Sequence, residues 1–137
     1  MQRLKTRPQF QAALAGGTVA RTPHFALHRL SLSESYPSAV SLSAGAAHAP
    51  LFQPHAVWLG AMVPKRWARR AVTRNAIKRQ IYAISEKFEV RLPSAAHVVR
   101  LRSGFDRQQF ISATSTLLKQ AVRLELEQLF ERAANKP

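Results

Sequence analysis

Apolar positions change their spacing several times along this chain, and each change marks an element. The most regular period lies between Pro64 and Phe88, where Ile77, Ile81, Ile84 and Phe88 recur at helical spacing and predict one helix with a single buried stripe. Just before it, Ala56–Pro64 (AVWLGAMVP) is almost unbroken apolar sequence and reads as a buried strand feeding straight into that helix, with Pro93 closing the helical region. Near the amino terminus Pro8 opens a short helix whose small apolar patch is Phe10, Ala13 and Leu14, and Gly16 and Gly17 end it. Between His24 and Leu32 the residues alternate, which predicts a strand with Phe25 and Leu27 on the core face and His24, Ala26 and His28 on the other. Ala95–Ser103 reads as a third strand, with Val98 and Leu101 on opposite faces and Arg100 and Arg102 sharing one. From about Arg107 to Ala134 a long helix is expected. Phe110, Ala113, Leu117, Ala121 and Leu124 lie near one face of it, and Leu118, Val122, Leu126 and Leu129 widen the stripe, so part of it is core and part is left for a contact. Ser33–His55, rich in Ser, Ala and Pro with weak periodicity, reads as a long loop. The interleaved helices and strands predict a small α/β sandwich, and 137 residues suit a single domain with one core.

Charge changes the picture at the central helix. Between Lys65 and Arg79 stand Lys65, Arg66, Arg69, Arg70, Arg74, Lys78 and Arg79, with no acid among them. On a helix the apolar stripe points one way while Asn75, Lys78, Arg79 and Tyr82 point roughly the other, with Arg74 at the border. A solvated helix face ordinarily mixes signs, because opposite charges four apart support a helix and like charges oppose it. A concentration of one sign therefore points to a polyanionic partner. The whole chain carries 21 Lys plus Arg against 7 Asp plus Glu, a formal net charge of +14, and before Ser85 its one acid is Glu34. Such a field captures phosphate backbones without specifying which polymer.

Candidate chemistry is sparse. His24 and His28, four apart on a strand, would be roughly 13 Å apart, too far for two ligands of one ion. His48, His55 and His97 fall into no ligand spacing, so no protein-held metal is expected. The acids Glu34, Glu86, Glu89, Asp106, Glu125, Glu127 and Glu131 form no pattern suited to general acid–base work or to holding a catalytic metal, and no catalytic residue is assigned. There is no cysteine, which excludes disulfides, thiolate zinc sites and a thiol nucleophile. The first ten residues lack an apolar signal core and no run reaches membrane-spanning length, so a cytoplasmic protein without a membrane role is expected. By its residues alone the chain reads as an RNA- or DNA-binding module.

The segment Leu59–Arg79 (LGAMVPKRWARRAVTRNAIKR) resembles the signature of the bacterial ribonuclease P protein component family, in which a strand ending in two basic residues precedes an R-N-x-x-K-R helix. Here these are Lys65–Arg66 and Arg74–Asn75–Ala76–Ile77–Lys78–Arg79. The early helix with Phe10, the segment GGTVARTPHFALHRL and the later strand in LPSAAHVVRLRSG fit as well, so the resemblance spans about residues 3–125. It implies a three-layer α/β (α+β) sandwich with a central mixed sheet and a left-handed βαβ crossover, against the usual handedness rule.

It also implies a protein subunit of a ribonucleoprotein that removes the 5′ leader of precursor tRNA, one protein per RNA, with the catalytic RNA performing a Mg²⁺-dependent hydrolysis. By this resemblance Arg74, Asn75, Lys78 and Arg79 contact the catalytic RNA, Lys65, Arg66, Arg69 and Arg70 contact phosphates in the same region, and Phe10, Leu14, Ala26, His28 and Tyr82 line a cleft for the single-stranded leader. Bases stacking on Phe10 or His28 would suit a strand read without pairing. The chain departs from the family pattern at Leu14, where an aromatic is common, at His28 and Tyr82, where some members have Tyr and Arg, and at 33–55, which reads as an insertion into a short hairpin. A ribosomal or general nucleic-acid-binding module is the competing reading; a self-sufficient nuclease lacks its carboxylates.

Overall fold

The computed structural model describes residues 1–31, 56–105 and 116–135. The expected loop at 33–55 and the expected helical positions Phe110 and Ala113 lie outside the described residues. In chain order the elements are β1 (Gln2–Arg3), α1 (Arg7–Ala15), β2 (Thr18–Arg21), β3 (Phe25–Ser31), β4 (Trp58–Met62), α2 (Ala71–Phe88) with a 3₁₀ turn at Glu89–Arg91, β5 (Ala95–Leu101) and α3 (Thr116–Ala134). The strands form one mixed sheet ordered β1-β4-β5-β3-β2, in which β4 runs parallel to β1 and β5 while β3 runs antiparallel to β5 and β2. Strands β4 and β5 are neighbours joined through α2, the parallel crossover that the resemblance implies.

Alternation along the strands feeds two cores. On one face Phe25, Leu27, Leu59, Ala61, Val99 and Leu101 pack with Ile77, Ile81, Ile84 and Phe88 of α2 and with Leu118, Val122, Leu126, Leu129 and Phe130 of α3. On the other face Leu4, Ala96 and Val98 pack under Ala13 of α1, with Phe10 and Leu14 partly covered. Helices on both sides of one sheet give the three-layer α+β sandwich.

Local chemistry fixes the element ends. Thr6 caps α1 by accepting from the Gln9 amide while the Gln9 side chain accepts from Thr6 N, a reciprocal capping box, and Pro8 sits where no helical donor is needed. Gly16 ends α1 against the sheet: a Cβ there would lie 2.3 Å from the Arg29 carbonyl oxygen and 2.6 Å from Leu30 Cα. Gly17 follows at φ 100°, and its carbonyl accepts from the Arg29 amide at 2.9 Å.

Two expectations are corrected, the start of the central helix and the face of His24, and the structure decides which part of the last helix is core. The central helix does not begin at Pro64 but at Ala71, because Trp67 N and Ala68 N both donate to the Pro64 carbonyl and close a turn, and Arg70 is still extended. Continuing the helix backwards would stack Lys65 over Arg69 and Arg66 over Arg70, like charges one turn apart, which the turn avoids. On α3 the buried stripe is the second one, with Phe130 and Ala133 added, whereas Leu117 and Leu124 are 64% and 61% exposed. His24 does not share a face with His28. It precedes β3, stacks on Phe105 at 4.0 Å and holds Glu125 of α3, with His24 Nδ1 and Glu125 Oε1 2.7 Å apart.

Polar groups are buried where α3 ends against the sheet. Arg29 Nη2 donates to the Ala133 carbonyl at 2.7 Å, Arg29 Nε donates to His97 Nδ1 at 3.4 Å, and His97 Nε2 donates to the Pro93 carbonyl at 3.1 Å. Burial lowers the His97 pKa from 6.5 to about 4, opposed by the Pro93 hydrogen bond and aided by the Arg29 charge. The unfolded chain therefore binds the extra proton between those values. This contribution to stability is full above about pH 6.5 and falls by about 3 kcal/mol as the pH drops towards 4. His97→Gln is expected to flatten the dependence of the urea midpoint between about pH 7 and pH 4.5; an equally steep fall in the variant would refute the assignment.

Candidate nucleic-acid interface

The buried stripe of α2 (Ile77, Ile81, Ile84, Phe88) decides where its other residues go. Asn75 and Arg79 are exposed, Lys78 is half-buried, and the preceding turn exposes Lys65, Arg66, Arg69 and Arg70. Among the described residues none of Lys65, Arg66, Arg69, Arg70, Lys78 and Arg79 has an ion-pair partner; Glu86, which borders the groove with Lys78 and Arg79, pairs with neither, and the other described acids are engaged elsewhere. Glu125 holds His24, Glu127 pairs with Arg123, Glu131 with Arg91 and Glu89 with the Met1 amino group. The cations thus form one strip over the turn and the outer face of α2 with its field unneutralised.

Arg74 has a different place in that strip. Its Nη1 donates to the Ala68 carbonyl at 3.1 Å and to the Arg69 carbonyl at 2.8 Å, so the guanidinium ties the helix back to the turn. The planar fork of arginine suits two acceptors at once; a lysine ammonium on its flexible stem does not.

Strand β1, too short to be legible in sequence, adds Arg3. Its guanidinium lies 4.0 Å from the centroid of the Tyr82 ring, and the two border a groove of about 410 Å³ with Asn75, Lys78, Arg79, Ala83 and Glu86. The sole hint of this was the basic run Arg3, Lys5, Arg7. Tyr82 therefore belongs with the cationic residues of α2.

The five residues expected around a leader cleft do not converge. Phe10, Leu14, Ala26 and His28 lie on the α1 side of the sheet, and Tyr82 lies on the α2 side. Ala26 is 1% and His28 8% exposed, so neither presents an open surface. His28 Nε2 accepts from Arg100 Nε at 3.4 Å and its Nδ1 lies 3.3 Å from Thr18 Oγ1. Burial and the charges of Arg100 and Arg21 push its pKa down. What remains open on this face is an apolar edge, Phe10 and Leu14 of α1 with Leu30, Trp58 and Met62 from the sheet, beside the half-buried Arg100 and the exposed Arg21. The apolar run Ala56–Pro64 concealed the two from β4, since a strand buried on both faces and one half-buried look alike there.

Among the described residues no group of three or more histidines and acids is placed to hold a metal ion, and no helix is long and apolar enough to cross a membrane.

A mixed sheet between helices, with a strip of unpaired cations along one helix and the turn before it, defines a small α+β sandwich with a polyanion-attracting surface. The chain belongs to the ribonuclease P protein family: the family model described as Ribonuclease P matches residues 1–133. The ribonuclease P protein component of Bordetella parapertussis is 33% identical over 132 residues, covering 96% of this chain and 91% of that one. That of Trichormus variabilis is 31% identical over 125 residues, covering 86% and 89%. The fold is shared with the RNase P protein of Staphylococcus aureus, at TM-score 0.65 and 19% identity over 97% of this chain and 95% of that one.

Arg74→Lys keeps the charge but loses the fork, and is expected to speed amide hydrogen exchange across residues 65–70 and to cost about 1 kcal/mol of stability. Exchange as slow as in the parent chain would mean that the turn holds its shape without Arg74.

Proposed function

We propose that this chain is the RNA-binding protein subunit of a ribonuclease P, assisting an RNA partner that cuts the 5′ leader from precursor tRNA. The observation that carries the reading is the unpaired cationic strip, Lys65, Arg66, Arg69, Arg70, Lys78 and Arg79 around Asn75, in a member of this family. These side chains take phosphates of the catalytic RNA, while Arg74 shapes the turn that presents four of them. Each phosphate neutralised releases counterions and lowers the repulsion between two RNA molecules that must approach one another. The hydrolysis belongs to the RNA, which binds Mg²⁺ through its own oxygens; no protein side chain is given a bond-breaking role. Phe10 and Leu14 offer the leader an apolar edge on the opposite side of the sheet, and Ala26 and His28 form the wall behind them.

Addition of the protein to a bacterial ribonuclease P RNA at low Mg²⁺ is expected to restore cleavage of precursor tRNA at the mature 5′ end. Tight RNA binding without stimulation would instead indicate a general nucleic-acid-binding module, and cleavage without the RNA would overturn both readings. Lys78→Ala with Arg79→Ala should reduce the salt slope of RNA binding by about 0.7 to 0.9 for each phosphate that is no longer neutralised. Phe10→Leu, which keeps the packing but removes the ring, should raise KM for precursor with a leader and leave leaderless tRNA binding unchanged; equal effects on both would sink the leader assignment.

A further inference from the structure

Trp67 stands in the middle of the cationic turn, between Lys65–Arg66 and Arg69–Arg70, and has no part in either core. It is 37% exposed, and among the described residues its indole N–H has no hydrogen-bond partner. The backbone that carries it is nevertheless held in place. Trp67 N donates to the Pro64 carbonyl at 3.1 Å, and the next two carbonyls are held by Arg74. The chain after β5 packs under it closely enough that a Cβ at Gly104 would lie 3.1 Å from the Trp67 carbonyl oxygen. The Arg66 guanidinium carbon lies 5.2 Å from the ring centroid.

A flat aromatic surface framed by unpaired cations selects its occupant. A lipid surface would meet one ring and no apolar face around it, since the buried stripe of α2 is committed to the core. A polyanion carrying flat aromatic groups satisfies the ring and the charges together, and the groups available for stacking are bases outside a duplex. We propose that Trp67 is a stacking platform for an unpaired nucleobase of the RNA, with Arg66 taking a neighbouring phosphate and Arg74 acting as the positioning residue of the turn. This rests on the RNA-binding reading above. A backbone fixed before binding leaves only the side-chain torsions of Trp67 to be ordered when a base arrives.

The test measures binding of the full chain to a bacterial ribonuclease P RNA transcript over a salt series. Trp67→Leu is expected to weaken binding about 5- to 150-fold with the salt slope unchanged, because stacking releases no counterions. Trp67→Phe should recover most of that affinity, and Arg66→Ala should flatten the slope by about 0.7 to 0.9. On a fully double-helical RNA, Trp67→Leu should bind like the parent. Parent-like affinity of Trp67→Leu for the transcript would overturn the stacking assignment and leave RNA binding intact. A flattened slope in Trp67→Leu, or an equal weakening on duplex RNA, would overturn it too, since the ring would then be acting on phosphate contacts. Failure of the parent chain to bind the transcript at low salt would remove the RNA-binding reading and this proposal with it.

Discussion

Strand β5 has almost no solvent face, and the rest of the molecule is arranged around that fact. Every residue from Ala95 to Leu101 is buried except the half-buried Arg100. The strand pairs with β4 on one side and β3 on the other, and its alternate residues serve different layers, Ala96 and Val98 under α1, Val99 and Leu101 under α2 and α3. A slip of one residue would exchange the two sets and carry His97 away from Arg29, so both registers are strongly specified. Through β4 that register also fixes where the chain leaves the sheet at Met62 and where the cationic turn begins.

Core packing and charge separation are therefore one design. The apolar stripe of α2 can be buried in only one rotation of the helix, and that rotation sends Asn75, Lys78 and Arg79 to a common groove with Arg3. The described acids gather on α3 and at the end of α2, and all but Glu86 are engaged by a cation or, for Glu125, by His24. Nothing comparable offsets the cations of the turn. Their mutual repulsion is carried by the apolar core and by the neutral acceptors Ala68 O and Arg69 O that Arg74 finds, so a polyanion arriving there relieves a cost that the folded chain already bears.

Much of this was legible in the sequence. The short helix with its glycine end, the alternation of Phe25 and Leu27, and the period of Ile77, Ile81, Ile84 and Phe88 are local signals, and the structure follows them. What was not legible depends on distant partners. β1 is two residues long and exists because β4 runs beside it, and β2 carries an irregularity between Thr18 and Ala20 that breaks its alternation. The competing stripes of α3 could not be ranked without the sheet that buries one of them. At the site, the run of cations marked the surface, but periodicity extended the helix through a segment that like charges keep open as a turn. Tyr82 was placed with Phe10 by resemblance, although helical phase alone sets it beside Lys78 and Arg79.

Gly16 bears no side chain, yet it sets the spacing between the first helix and the sheet. With the Arg29 carbonyl oxygen 2.3 Å from where a Cβ would stand, and Arg29 N bonded to the Gly17 carbonyl, the end of α1 rests on the backbone of β3 with room for a hydrogen atom and no more. A methyl group at this point would lever the helix off the sheet at one end, lifting Leu14 first and Phe10 after it. Position 16 is thus a spacer gauge: the aperture between the first helix and the sheet is calibrated by the absence of a side chain, and a lineage could widen that aperture by a single substitution that touches none of the residues lining it.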